Sequence, residues 1–195
     1  KNPKEFNLVW EGLPENICFN KFANEVIEFI NNYNLNVNNQ IKIKLNVITD
    51  LYFKKFMNRF LIQNSYYNLK KKTDHINFFE WNIENINQNI IKNDLAIIPL
   101  SQSNPLEYGK PANKLFLFFK MGMPTITSNT FAYSQVEKNL KLRLTFKNIN
   151  EFEELLKIYM NTIEIREKYS KYAIDYIKSE LPESKLSELW SNIFR

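Results

Sequence analysis

Glycine, cysteine and histidine are scarce in this sequence: three, one and one among 195 residues. With no second cysteine, Cys18 has no partner for an internal disulfide, and together with His75 it is too little for a His/Cys zinc site in one chain. A lone thiol fits a reducing cytosol, and a cytoplasmic protein is the expectation. Neither G-x-G-x-x-G nor G-x-x-x-x-G-K-[ST] occurs, which argues against dinucleotide and P-loop chemistry. Long apolar runs are missing too. Peaks such as Leu95–Leu100 and Leu115–Phe119 fall well short of the about 20 residues a membrane-spanning helix needs.

What is present suits a soluble α/β domain. Hydrophobic residues make up 44% and charged residues 24%, and the length allows one well-buried core but not two full domains. Residues 1–195 therefore read as a single domain, of which 149–195 form a helical tail. The chain opens with Lys1 and shows no signal-peptide pattern, so we expect it to be part of a longer polypeptide. A net charge of +5 permits nucleotides, nucleic acid or an acidic membrane face as partners. The one dense basic run, Lys70-Lys71-Lys72, reads as a solvated loop, and lysines otherwise scatter among acids, so no specific nucleic-acid partner is expected.

Strand-like and helix-like segments alternate along the chain. Apolar runs predict strands at Phe6–Trp10, Ile41–Ile48, Ile76–Trp81, Asp94–Leu100, Pro124–Ser128 and Leu142–Phe146. Helical spacing predicts helices over Phe19–Tyr33, Ile83–Ile91, Asn113–Met121 and Ala132–Asn139, and from Ile149 onward with a break at Pro182. Thr49 and Asp50 read as N-caps of a further helix carrying Tyr52, Phe53, Phe56, Met57 and Phe60. This order implies right-handed βαβ units: a doubly wound, Rossmann-like parallel sheet of about six strands with helices on both faces. In such folds ligands bind beyond the carboxyl ends of the strands.

Each glycine falls at a boundary. Gly12 follows the first strand, as a turn or as a ligand-facing loop; Gly122 suits a helix C-terminus; Gly109 lies in the loop Ser101–Ala112. A helix starting near Asn113 would aim its free N–H groups and dipole at the ligand edge, with Lys110 and Lys114 adding charge. A diphosphate suits that arrangement. Solvated lysines and an Asn113 that merely caps the helix would fit the same residues.

Residues 109–128, reading Gly-Lys-Pro-Ala-Asn-Lys-Leu-Phe-Leu-Phe-Phe-Lys-Met-Gly-Met-Pro-Thr-Ile-Thr-Ser, resemble the donor-binding segment of GT-B glycosyltransferases, similar to the family 4-like bacterial members. Leu8–Asn16 resembles the first strand and Gly-containing loop of their C-terminal domain, and Asp94–Leu100 the strand before the donor loop. Arg166 and the helices to Arg195 resemble the closing helices.

The resemblance implies the donor-binding half of a glycosyltransferase moving a hexose-type sugar from a nucleotide-sugar to a glycan or lipid-linked acceptor. Its partners would be the nucleotide-sugar, the enzyme's own N-terminal domain and that acceptor, with a membrane surface open to the whole enzyme. The nucleotide-sugar is a substrate, and neither cofactor nor metal is implied. Gly12 and Asn16 would line the cleft, with Lys110, Asn113 and Lys114 at the phosphates. Phe79, Glu80, Trp81 and Asn82 would meet the base and ribose, although aromatic residues also dominate cores, which gives Phe79 and Trp81 a packing alternative. Ser128, Asn129 and Thr130, then Tyr133 and Ser134, would touch the cleft or simply form a turn.

One position departs from the family pattern. Of the two glutamates of many retaining members, the second, which binds the donor ribose, falls on Leu117; Glu107 would stand in for an earlier acidic group, at a spacing that departs from the common motif. The catalytic base would come from the N-terminal domain. That leaves His75 as a surface or satisfied histidine, Asp50 as a cap and Asp94 as a strand-start residue. A non-catalytic nucleotide-binding or regulatory module is the alternative; a receiver would want a carboxylate cluster after its first strand, where only Glu11 and Glu15 stand.

Overall fold

The computed structural model describes residues 5–55, 60–140 and 142–182. From β1 (Glu5–Glu11) the chain passes through α1 (Pro14–Cys18) and α2 (Lys21–Leu35) to β2 (Lys42–Thr49). A hairpin, β3 (Tyr52–Lys55) and β4 (Phe60–Asn64), leads into α3 (Ser65–Lys70), β5 (Ile76–Glu80) and α4 (Ile86–Ile91). Then come β6 (Leu95–Ile98), α5 (Pro105–Tyr108), α6 (Asn113–Lys120), β7 (Thr125–Ser128), α7 (Phe131–Leu140) and β8 (Thr145–Phe146). α8 (Ile149–Asn161) and α9 (Ile163–Glu180) close the described chain.

Six strands form one parallel sheet in the order β5-β2-β1-β6-β7-β8. Helices cover both faces of its central strands: all four residues of β6, Leu-Ala-Ile-Ile, and all four of β7, Thr-Ile-Thr-Ser, are buried. The tail is welded to this core. Phe119 of α6 packs edge-on against Tyr169 of α9 at 5.7 Å, and the Tyr169 hydroxyl donates to the Thr125 carbonyl at 2.8 Å. Arg166 donates to the Met160 carbonyl at 3.3 Å and lies over the Phe6 ring, joining α9 to the end of α8 and to β1. Gly122 ends α6 at φ +63°, and a Cβ there would stand 3.0 Å from Ile174, so the helix-terminating reading of this glycine holds.

One expectation fails and another is incomplete. No helix follows Asp50; the residues expected to continue it begin the antiparallel β3–β4 pair, a second sheet outside the main one. Aromatic spacing there fits an irregular strand as well as a helix, because a bulge at Lys54/Lys55 shifts the alternation. Asp50 therefore caps no described helix and is exposed at the sheet's carboxyl edge. The helical tail has a break at Thr162, between α8 and α9, that the sequence pattern does not predict, and α9 ends at Glu180, ahead of the expected break at Pro182. Residues beyond Pro182 lie outside the described ones, as do Phe56 and Met57.

Candidate functional site

Strand order reverses between β1 and β6, and beyond their carboxyl ends lies a cleft of about 370 Å³. Trp10 and Glu11 enter it from β1, and Ile98, Pro99 and Leu100 from the end of β6. Lys110, Pro111, Asn113, Lys114 and Leu117 form the α6 wall; Asn16 and Tyr133 complete it from α1 and α7. A hollow of about 570 Å³ shares Glu11, Asn16, Lys110 and Lys114 with this cleft and extends past Gly12 and Asp50 to Trp81. Trp81 in turn joins a third, of about 590 Å³, with Phe79, Glu80, Asn82, Asn85 and Asn89.

Two lysines and a helix start without a side-chain cap meet at α6. The N-cap residue of α6, Ala112, offers its first-turn N–H groups no side-chain acceptor, whereas α2, α3, α5 and α8 each start under an asparagine side chain. Asn113 is thus the first helical residue, not the cap. Lys110 has no acidic partner among the described residues. Lys114 is held: its Nζ donates to the Glu11 carboxylate at 2.8 Å and to the Glu11 carbonyl, and lies 5.8 Å from the Trp10 ring centroid.

Gly12 makes that approach possible. It adopts φ +155°, and a Cβ there would stand 2.8 Å from Lys114 Nζ and 3.0 Å from Trp10. Gly12 also lines the second hollow. Burial pushes the Tyr133 hydroxyl up to about 12, so it remains a proton donor facing the cleft. Among the described residues no group of His, Cys, Asp or Glu side chains is placed to hold a metal ion.

Gly12, Asn16, Lys110, Asn113 and Lys114 therefore converge, and Phe79, Glu80, Trp81 and Asn82 line the far hollow. The packing alternative for the two aromatics fails: Phe79 is 37% and Trp81 40% exposed, because β5 is the sheet's edge strand. Other expected residues turn elsewhere. The Glu107 carboxylate accepts from Asn20 and from the Ser101 amide, both at 2.6 Å, and so fixes the loop after β6. Ser128 Oγ accepts from the Leu100 amide at 2.7 Å, and Asn129 donates to Thr145 at 2.9 Å. Thr130 is buried, its hydroxyl without a partner among the described residues, and Ser134 Oγ donates to the Phe131 carbonyl. None of these five lines the three hollows.

Trp10 and the Glu11–Lys114 pair are features of the cleft that sequence reasoning did not find. Their one local signal is position, as the last two residues of a strand before a glycine. Asp94 behaves as expected, accepting the Asn7 amide at 2.9 Å at the start of β6. Where a surface or satisfied histidine is expected, His75 is half-buried, and its Nδ1 is buried without a partner among the described residues.

No family model and no curated protein matches this sequence. Solved structures match its fold. WaaG, a glycosyltransferase involved in lipopolysaccharide biosynthesis, superposes with a TM-score of 0.61 at 14% identity, over 94% of this chain and 45% of that one. The N-terminal domain of trehalose-6-phosphate phosphatase from Candida albicans gives 0.61 at 8% identity, over 98% and 43%. OtsA in its apo form gives 0.56 at 10% identity, over 96% and 44%. The chain spans less than half the length of each. Its fold is that of the C-terminal domain of GT-B glycosyltransferases, Rossmann-like with a helical C-terminal tail.

Proposed function

We propose that this chain is the nucleotide-sugar donor-binding domain of a glycosyltransferase. The carrying observation is the meeting of Lys110, Lys114 and the uncapped start of α6 at the switch point of the sheet. A diphosphate there would accept from free backbone N–H groups and from two cations. The adjoining hollows lead toward Trp81 and Phe79, whose exposed rings would take the base.

The domain's contribution to transfer is electrostatic: it stabilises the departing nucleoside diphosphate where charge develops. No described residue is assigned to proton transfer, which falls to a second domain. The whole enzyme would move a hexose-type sugar to a glycan or lipid-linked acceptor in bacterial polysaccharide biosynthesis, on the cytoplasmic side. Leu117, exposed in the cleft wall where the resemblance places a ribose-binding glutamate, favours a second reading: a nucleotide-binding module without transfer activity.

Thermal unfolding against UDP, GDP, ADP and TDP, with CMP as outlier, tests the site. Ligand at a hundredfold excess over Kd adds about 2.7 kcal/mol of stability. A shift selective for one base, lost in Lys114→Ala, is expected. No shift with any diphosphate would overturn the donor site. Binding in this domain without sugar transfer by the whole enzyme would favour the second reading.

A further inference from the structure

Between Asp50 and Asp74 the sequence carries six Lys or Arg residues and no Asp or Glu. Much of this stretch is the β3–β4 hairpin and α3, which the donor site leaves unused. Cross-strand register sets Tyr52 opposite Asn64 and Lys54 opposite Ile62, so Tyr52, Lys54 and Ile62 share one face. Phe53, on the other face, is buried edge-on against Phe19 at 5.7 Å. The shared face therefore looks away from the domain: Tyr52 is 60% and Ile62 68% exposed.

Leu61 is 70% exposed and sits at φ +50°, the one described non-glycine residue with positive φ. The backbone thus holds an aliphatic side chain out in solvent, in a conformation its own type disfavours. α3 comes directly afterwards with exposed Tyr67, and exposed Lys71 stands just past its end. Lys72 is excluded from this surface, since its Nζ is turned in to the Cys18 carbonyl at 2.5 Å.

We infer that the hairpin docks the domain peripherally on an anionic lipid surface. Charge complementarity selects that partner: Lys70 pairs with Asp74 at 3.9 Å, but Lys54 and Lys71, exposed and without an acidic partner among the described residues, meet lipid phosphates, while tyrosine rings sit at headgroup level. Leu61 and Ile62 reach the acyl boundary, where aliphatic groups gain what water denies them. Single-stranded nucleic acid would use the aromatics and lysines but gains nothing from two exposed aliphatics. β3 starts three residues after β2 ends, so the contact lies at the same sheet edge as the cleft. This inference stands apart from the donor-site reading, and its test involves no nucleotide.

Co-sedimentation of the chain with phosphatidylcholine vesicles, with and without phosphatidylglycerol, provides the test. Binding to the phosphatidylglycerol vesicles, weakened by salt, is expected. Lys54→Gln lowers it about fivefold, the share of one basic residue at such a surface. Leu61→Asn, which tolerates positive φ, and Ile62→Thr, which keeps strand propensity, each lower it several-fold with the unfolding midpoint unchanged. No binding, equal binding to phosphatidylcholine alone, or binding indifferent to Leu61→Asn and Ile62→Thr overturns the inference. Tighter capture of a single-stranded oligonucleotide would overturn it as well.

Discussion

The two flanks of β1 present different chemistry to the same edge of the sheet. On one side stand β6 and β7, buried on both faces, with α6 packed tightly enough to aim its cations. On the other, β5 ends the sheet and shows Phe79 and Trp81 to solvent, beside a hairpin that belongs to no larger sheet. The difference teaches how a cleft divides its labour. Charge is placed by the rigid flank, where displacement would disturb the core. Ring surfaces, which tolerate many partners, are left to the edge.

The sharpest way to break that contrast is to cut equally into both flanks. Phe119→Ala removes a fully buried ring packed edge-on against the tail and should cost about 3–5 kcal/mol in denaturant unfolding. Phe79→Ala should cost under about 0.5 kcal/mol while weakening nucleotide binding. Equal costs would mean that the edge is as structural as the core. Next in size is Gly12→Ala, whose Cβ would push into Lys114 and Trp10 from a disfavoured φ. Loss of the Lys114 position should lower diphosphate affinity about tenfold, as expected for one charge-assisted contact, and titration calorimetry would show it.

Smaller and opposite in sign is Glu11→Gln. The carboxylate competes with an incoming anion for Lys114, so its neutralisation should tighten diphosphate binding, by up to about fivefold for a partly exposed pair. Weaker binding would instead make Glu11 a ligand contact. Smallest is the response to acid. Burial first, then Lys44, holds His75 below its usual 6.5, with Lys42 adding to this and Asp74 opposing it. As pH falls through that value the unfolded chain takes up the proton before the folded one, so stability declines until the folded imidazole also protonates. His75→Gln should flatten that decline in melts between neutral and mildly acidic pH.

The rigid flank was legible because its constraints are local. A short unbroken apolar run suits a strand buried on both faces, so Asp94–Leu100 announced β6, and Gly122 marked the end of α6. The edge was less legible for the converse reason. Phe79 and Trp81 look like core residues until topology makes β5 the last strand, and a bulged hairpin without an Asn-Gly or Asp-Gly turn leaves aromatic spacing that fits a helix. Within the cleft, Lys110 and Lys114 could be read from their place after a strand. The partner of Lys114 could not, since Glu11 lies 103 residues away and meets it only when β1 and β6 pair.

The central claim is that the start of α6 binds phosphate, and calorimetry comparing a nucleoside diphosphate with its parent nucleoside tests it most directly. The diphosphate should bind at least about tenfold tighter, with the gap shrinking in Lys114→Ala. Equal affinity for both, or a gap untouched by that substitution, would contradict the account.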